Sequence, residues 1–300
     1  MGLKEKVAQT ILSNTVRPKR RKFGVEIESF YYKRGTIERI PVNDENYFCA
    51  SKLLESVNNA VRANSQYSYS LEPGGQLEWA SGPSTSLWEI KDQFDENTLI
   101  QEELCKSNGI DIGYFSVEPV SMPFDIRLID SEKYRLMNDL FIKTGDLGPW
   151  MMRNTTSIQI NIDFTDEEDA SQMAFVADAI QPLMSIMFSN SPFMNAKPTR
   201  ENLRWKIWGN TDNSRCGSLY DHSINTPKNF VKKYAEWLLQ RDVIFLDNMD
   251  GTFSAFDGNF GDMISLKDDN RLIFSAFRQI FTHVRFKNVL EVRASDRQQK

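Results

Sequence analysis

Residues 71–83 place two acids on either side of an enforced turn: Leu71-Glu72, then Pro73-Gly74-Gly75, then Gln76-Leu77-Glu78-Trp79. Proline fixes its own φ and the two glycines accept positive φ, so the backbone must bend sharply between Glu72 and Glu78. Beyond the turn, Gln76 and Glu78 alternate with Leu77 and Trp79, the period of a strand with one polar and one apolar face. A carboxylate on a strand that packs into a core needs a partner, because burying an unpaired charge is very costly. An arginine or a metal ion would each serve.

The same alternation recurs three times. Val25 and Ile27 alternate with Glu26 and Glu28, whose carboxylates, two residues apart on a strand, would lie roughly 7 Å apart and point the same way. That spacing suits oxygen-liking cations, although a strand with one face in water is the default reading of this segment taken alone. In residues 155–164, Ile158, Ile160 and Ile162 form one face, and Ser157, Gln159, Asn161 and Asp163 the other. In residues 284–293, Val284, Phe286, Leu290 and Val292 oppose Arg285, Lys287, Glu291 and Arg293, where a surface salt bridge would by itself explain Glu291 beside Arg293. Residues 110–120 also read as a strand.

Helical periodicity marks residues 42–65, 84–108, 131–143 and 228–241. A further helix over 165–189 starts at a capping box of Thr165 and Glu168, with Met173, Val176, Ala177, Ile180, Leu183, Met184 and Met187 expected in the core. Residues 144–149 read as a break and 190–225 as irregular chain suited to ligand contacts. No linker separates two domains.

Composition narrows the function. A net charge of −5 gives no overall attraction for nucleic acid, and the basic run Arg17 to Lys22 reads as a solvated lead-in to the first strand. Apolar runs fall far short of a membrane span and the first residues lack a signal-peptide core, so no membrane partner and a cytoplasmic location are expected. Three cysteines without CxxC spacing argue for reduced thiols, and two histidines leave a Ser-His-Asp triad improbable. Neither a Walker Gly-Lys-Ser/Thr nor a Gly-x-Gly-x-x-Gly occurs. Several acids converging from strands are what Mg²⁺ ions serving a nucleotide require.

Five segments occur in a telling order: Gly24 to Glu28, Glu72 to Glu78, Met151-Met152 followed by Gln159 to Asp163, Asn190 to Phe193, and Glu291-Val292-Arg293. In these the chain resembles glutamate–cysteine ligase family 2, the plant and proteobacterial type of γ-glutamylcysteine synthetase. The resemblance implies an α+β fold related to glutamine synthetase, a curved antiparallel sheet with flanking helices. It implies a single catalytic domain over residues 23–300 after a helical and basic lead-in over 1–22. Family members continue beyond the last motif, a continuation this sequence, ending at Lys300, is expected to lack.

The implied reaction uses ATP and Mg²⁺ to join L-glutamate to L-cysteine, or to another amine, through a γ-glutamyl phosphate. Carried onto this sequence, Glu26, Glu28, Glu72, Glu78 and Glu291 would hold metal and MgATP. Glu78 and Arg293 would be catalytic, Arg293 by steadying the transferred phosphoryl group. Gln159, Asn161 and Glu291 would orient nucleotide or substrate, and Arg215 would hold a substrate carboxylate through a bidentate contact. An inactive homologue with a binding role, or a guanidino kinase, are the alternatives.

Overall fold

The alternating segments assemble into one sheet. The computed structural model describes residues 1–61 and 65–298. Among these residues the main sheet has seven strands: β1 (Phe23–Lys33), β2 (Ser68–Leu71), β3 (Leu77–Ala80), β4 (Ile110–Gly113), β5 (Ser157–Ile162), β6 (Val284–Phe286) and β7 (Leu290–Asp296). The spatial order is β6-β7-β5-β1-β3-β2, with β4 paired to β1, and every pairing is antiparallel. Glu28 lies opposite Glu78, Glu26 opposite Gln159, Asn161 opposite Glu291, and Glu291 opposite Arg285. Cross-strand partners share a face, so this register gathers the polar positions of separate strands on one surface.

Among the described residues ten α-helices surround the sheet: α1 (Leu3–Ile11), α2 (Ala50–Ala60), α3 (Leu87–Asn108), α4 (Glu132–Thr144), α5 (Gly148–Asn154), α6 (Glu167–Met187), α7 (Leu203–Gly209), α8 (Phe230–Leu239), α9 (Phe260–Ser265) and α10 (Asn270–Phe277). Behind the apolar face, α2 and α3 cover Leu77 and Trp79, while α1, α6, α8, α9 and α10 cover Val284, Phe286 and Leu290. Val7, Ala8 and Ile11 of α1 sit in that second cluster, which makes residues 3–11 part of the core. A third cluster, built by α4, α5 and α7 around Phe141, Trp150, Leu203 and Ile207, roofs the polar face. The α+β class with an antiparallel sheet agrees with expectation. Among the described residues no helix is long and apolar enough to cross a membrane.

Local readings differ in instructive ways. Within 42–65 the helix occupies Ala50–Ala60, and residues 62–64, like 299–300, lie outside the described residues. The strand expected over 110–120 stops at Gly113, leaving Val117 as a lone bridge to Thr155. Gly148-Pro149 opens α5, because a proline in the first turn lacks only an N–H that the helix leaves unused. The cap of α6 is Asp166, whose carboxylate accepts the Asp169 N–H, one residue beyond the expected Thr165. Most surprising is the orientation of α6. It buries Ala170, Ser171, Ala174, Asp178, Gln181 and Ser185 and leaves Val176, Ile180, Leu183 and Met187 exposed, so much of the expected core face is the outer face. Small residues permit its close approach to β7, and one carboxylate oxygen of Asp178 accepts from the Ser218 hydroxyl and the Tyr220 N–H. Behind β5, Ile160 likewise remains 39% exposed.

The turn at 73–75 is held from outside. Gly75 takes φ +80°, and the Arg39 guanidinium donates to the carbonyls of Gly74 and Arg153, each at 2.7 Å. A Cβ on Gly74 would stand 2.7 Å from the Arg153 backbone, which has no flexible end to yield. Gly74→Ala is therefore expected to destabilise the protein by about 1–3 kcal/mol in urea denaturation. An unchanged midpoint would show that the turn is not wedged against α5.

Candidate active site

Between the polar face and the roof lies a cavity of about 260 Å³, lined on the sheet side by Glu26, Glu28, Glu72, Glu78 and Gln159. Glu28 comes from β1, Glu78 from β3, and Glu72 from the turn that joins β2 to β3. One carboxylate oxygen of each lies within 4.8 Å of the others. Burial, then the neighbouring Glu72, pushes the Glu28 carboxyl up to about 8. Burial, then Glu72, Glu26 and Glu28, drives Glu78 well above the carboxylate range, and burial also raises Glu72. Buried acids that repel one another in this way fit a divalent cation taking several carboxylate oxygens, since the ion supplies the opposite charge they lack.

Glu291 behaves in the opposite sense. It is fully buried, and its carboxylate meets Arg285 at 2.5 Å, Lys287 at 2.5 Å and Arg293 at 2.8 Å. Burial alone would raise it, but these three cations hold it well below the usual range. With its charge already compensated, Glu291 stands as the anchor of three basic side chains, apart from the cluster of Glu28, Glu72 and Glu78. From that anchor a hydrogen-bonded chain crosses the sheet. Arg293 donates to Gln159 Oε1 at 2.7 Å and Gln159 Nε2 donates to Glu28 at 2.9 Å. Asn161 Nδ2 donates to Glu26 at 2.8 Å, so Asn161 holds an acid from behind rather than lining the cavity.

Arg215 is brought to a different place. It is 2% exposed, its Nε donates to Asp212 at 2.8 Å, and it does not line the cavity. The basic groups that do line it are Lys133 of α4, Arg204 of α7, Arg278, Arg285 of β6, Lys287 from the β6–β7 turn and Arg293 of β7. Arg204 and Trp208 sit one turn apart on α7, inside the stretch read as irregular. Buried Arg204 Nε and Trp208 Nε1 have no protein partner, although Arg204 Nη2 reaches the Arg293 carbonyl at 3.1 Å. Other buried donors without a partner, among them Trp79 Nε1 and Trp237 Nε1, lie away from the cavity. The available signal was the i, i+4 spacing of Arg204 and Trp208 behind the Asn202 cap.

Comparison with known proteins adds an independent line. The family model for glutamate–cysteine ligase family 2 matches residues 22–300. A chloroplastic glutamate–cysteine ligase of Nicotiana tabacum is 28% identical over 318 residues, covering 98% of this chain and 59% of that protein. Glutamate–cysteine ligase A of Oryza sativa subsp. indica, also chloroplastic, is 29% identical, covering 92% of this chain and 58% of its own length. This chain thus spans under two thirds of these relatives. A crystal structure of glutamate–cysteine ligase from Francisella tularensis in complex with AMP superposes with TM-score 0.51 at 15% identity, covering 92% of this chain and 61% of that one. At that identity it speaks for the fold.

Two predictions separate the two kinds of buried acid. Because the folded state binds protons to Glu28, Glu72 and Glu78 more tightly than the unfolded chain, their contribution to stability is lost as pH rises above the ordinary 4.5, for Glu28 through about 8. Metal-free protein should therefore melt lower at roughly pH 8.5 than at roughly pH 6, with Mg²⁺ raising the melting point more at the higher pH. A Mg²⁺ shift independent of pH would contradict the cation site. The second test is the sign of two charge deletions. Glu78→Gln should leave metal-free stability equal or higher by relieving repulsion, whereas Glu291→Gln, which strands three cations, should cost about 3–5 kcal/mol. Equal melting of the two variants would overturn the distinction.

Proposed function

The chain belongs to glutamate–cysteine ligase family 2, and on that premise we propose that it joins L-glutamate to the amine of L-cysteine at the expense of ATP. The observation that carries this reading is the meeting, in one cavity, of a carboxylate cluster fitted to a divalent cation and a wall of basic groups with unsatisfied donors. Anionic substrates must be brought together there, and neither acids nor cations alone could do so.

Glu28, Glu72 and Glu78 would hold Mg²⁺. When bound, that ion neutralises nucleotide phosphate and fixes its direction. Arg293, kept in place by Glu291 and Gln159, presents a guanidinium to the charge that spreads over the transferring phosphoryl group. Arg204 Nε and the Trp208 indole N–H supply two donors for a substrate carboxylate. In the first step a γ-carboxylate oxygen of glutamate bonds to the terminal phosphorus as the bridging P–O bond breaks, and ADP leaves. In the second the amine nitrogen bonds to the acyl carbon, gives up its proton, and phosphate departs with the electrons of the C–O bond. The roof of α4, α5 and α7 limits water, which would otherwise hydrolyse the acyl phosphate.

The test is ADP release from MgATP and L-glutamate, with and without L-cysteine and with a panel of other amines. Cysteine-dependent release is expected, and dependence on another amine would reassign the acceptor. No release with any amine, from protein shown to be folded, would sink the ligase reading. Glu78→Gln should lower turnover on the order of a hundredfold, as loss of a metal ligand removes several kcal/mol from transition-state stabilisation.

A further inference from the structure

Behind the turn of Pro73 to Gly75 lies a second cavity, of about 390 Å³, which shares no lining residue with the first. Its walls are the segments that hold the turn in place. Arg39, 7% exposed, lines it and donates to the carbonyls of Gly74 and Arg153. Val42 also lines it, and presses on the turn so closely that a Cβ on Gly75 would stand 3.1 Å from Val42 Cγ2. A further wall is residues 125–127. The Ile129 N–H just beyond donates to the Pro73 carbonyl at 2.9 Å, and Arg153 Nε of α5 donates to the Ile126 carbonyl at 3.1 Å.

The charges of this cavity are not balanced by its own residues. Its three acids are engaged: Glu38 with Lys33, Asp44 with the N–H groups of Asn46 and Tyr47, and Asp125 with the Met122 N–H. Its two guanidinium groups are not. Among the described residues no carboxylate lies within ion-pair distance of Arg39 or of Arg127, and Arg127 acts on Asp44 only from farther off. Glu118 favours the Arg39 charge from beyond that distance, with its own oxygens taken by the Tyr32 hydroxyl and the N–H groups of Val120 and Ser121. Arg39 uses one N–H of each Nη on the carbonyls and lies 4.7 Å from the centre of the Phe30 ring, so part of its fork of donors is still unspent. Ile40, Pro41, Val42 and Ile126 supply the apolar lining. A cavity of this size with two unpaired guanidiniums on an apolar wall is matched to a small molecule that carries a carboxylate on an apolar body.

We propose that this second cavity binds a small apolar carboxylate between Arg39 and Arg127, and that the bound anion tightens the hold on the turn that carries Glu72, raising the affinity of the cation cluster for Mg²⁺. The anion would join the Arg39 clamp to the 125–127 segment, two supports of the turn that otherwise meet no common partner. What favours the held turn favours the cation cluster, and the coupling runs equally in both directions. Binding there is independent of the ligase reading, and only the coupling rests on the cluster of Glu28, Glu72 and Glu78.

Calorimetric titration of the full chain with isovalerate and with Mg²⁺, each in the absence and presence of the other, is the test. Wild type should bind isovalerate, with inorganic phosphate, which lacks the apolar body, and isopentanol, which lacks the charge, each at least about tenfold weaker. Arg127→Met should weaken isovalerate about tenfold while keeping wild-type Mg²⁺ affinity in its absence, because Arg127 is exposed and touches neither the turn nor the first cavity. Arg204→Lys, altered in the first cavity, should bind isovalerate as wild type does. Isovalerate should tighten Mg²⁺ about fivefold or more in wild type and leave it unchanged in Arg127→Met. Arg39→Lys keeps the charge but not the fork, and should weaken both ligands. If Arg204→Lys loses isovalerate and Arg127→Met does not, the anion occupies the first cavity and the proposal is overturned. It is equally overturned if wild type does not bind isovalerate, or binds it with no change in Mg²⁺ affinity. If Mg²⁺ itself does not bind, the reading of the cation cluster fails, while isovalerate binding that is weakened by Arg127→Met still upholds the second cavity as a site.

Discussion

Three carboxylates that repel one another, buried Glu28 and half-buried Glu72 and Glu78, each place an oxygen within 4.8 Å of the others. Such a cluster would spread apart if its supports could move, so the surrounding structure is best understood as what prevents it. The antiparallel register sets Glu28 opposite Glu78, and the backbone ladder fixes their separation. Arg39 clamps the turn that carries Glu72 to the last turn of α5. Gln159 holds Glu28 from one side and takes its own orientation from Arg293 on the other. The strain of like charge is thus distributed over hydrogen bonds that each have a second anchor.

Neighbours, not residue type, divide the acids of this sheet into two roles. Glu28 and Glu291 are both buried glutamates on the polar face, yet one is pushed up to about 8 and the other is held well below the carboxylate range. The difference is the company of other acids in one case and of Arg285, Lys287 and Arg293 in the other. An acid short of positive charge suits a metal ion, whereas one already supplied with it becomes a fixed support for the cations around it.

Much of this was legible from the chain because a strand reports its faces every second residue. The alternations at 25–28, 76–79 and 157–163 identified Glu26, Glu28, Glu78 and Gln159 as sharing a polar surface, and the turn chemistry of Pro73 to Gly75 brought Glu72 beside them. Pattern could not tell which acids would face cations, since Arg285 and Lys287 share the face of Glu291 in sequence but its burial depends on the whole sheet. The helical basic residues were hidden for another reason. Lys133 and Arg204 look like ordinary solvated positions until the roof is folded over the sheet. On α6 the apolar period was genuine, but a face of alanine, serine and one hydrogen-bonded aspartate won the inner position because only it could approach β7 closely.

Strand order has a consequence for how such a chain comes into being. β7, the last strand in sequence, is inserted between β6 and β5 rather than added at an edge, and Arg293 meets Gln159 across 134 positions. During synthesis, the first strand and the acids of the turn would emerge long before the segment that completes the surface they belong to. No nascent portion lacking residues 290–296 contains Arg293 or its anchor Glu291, so the arginine side of the cavity forms only once β7 is in place. The long closure that brings in β7 has to be driven by the apolar contacts of Val284, Phe286 and Leu290 with the helices behind them.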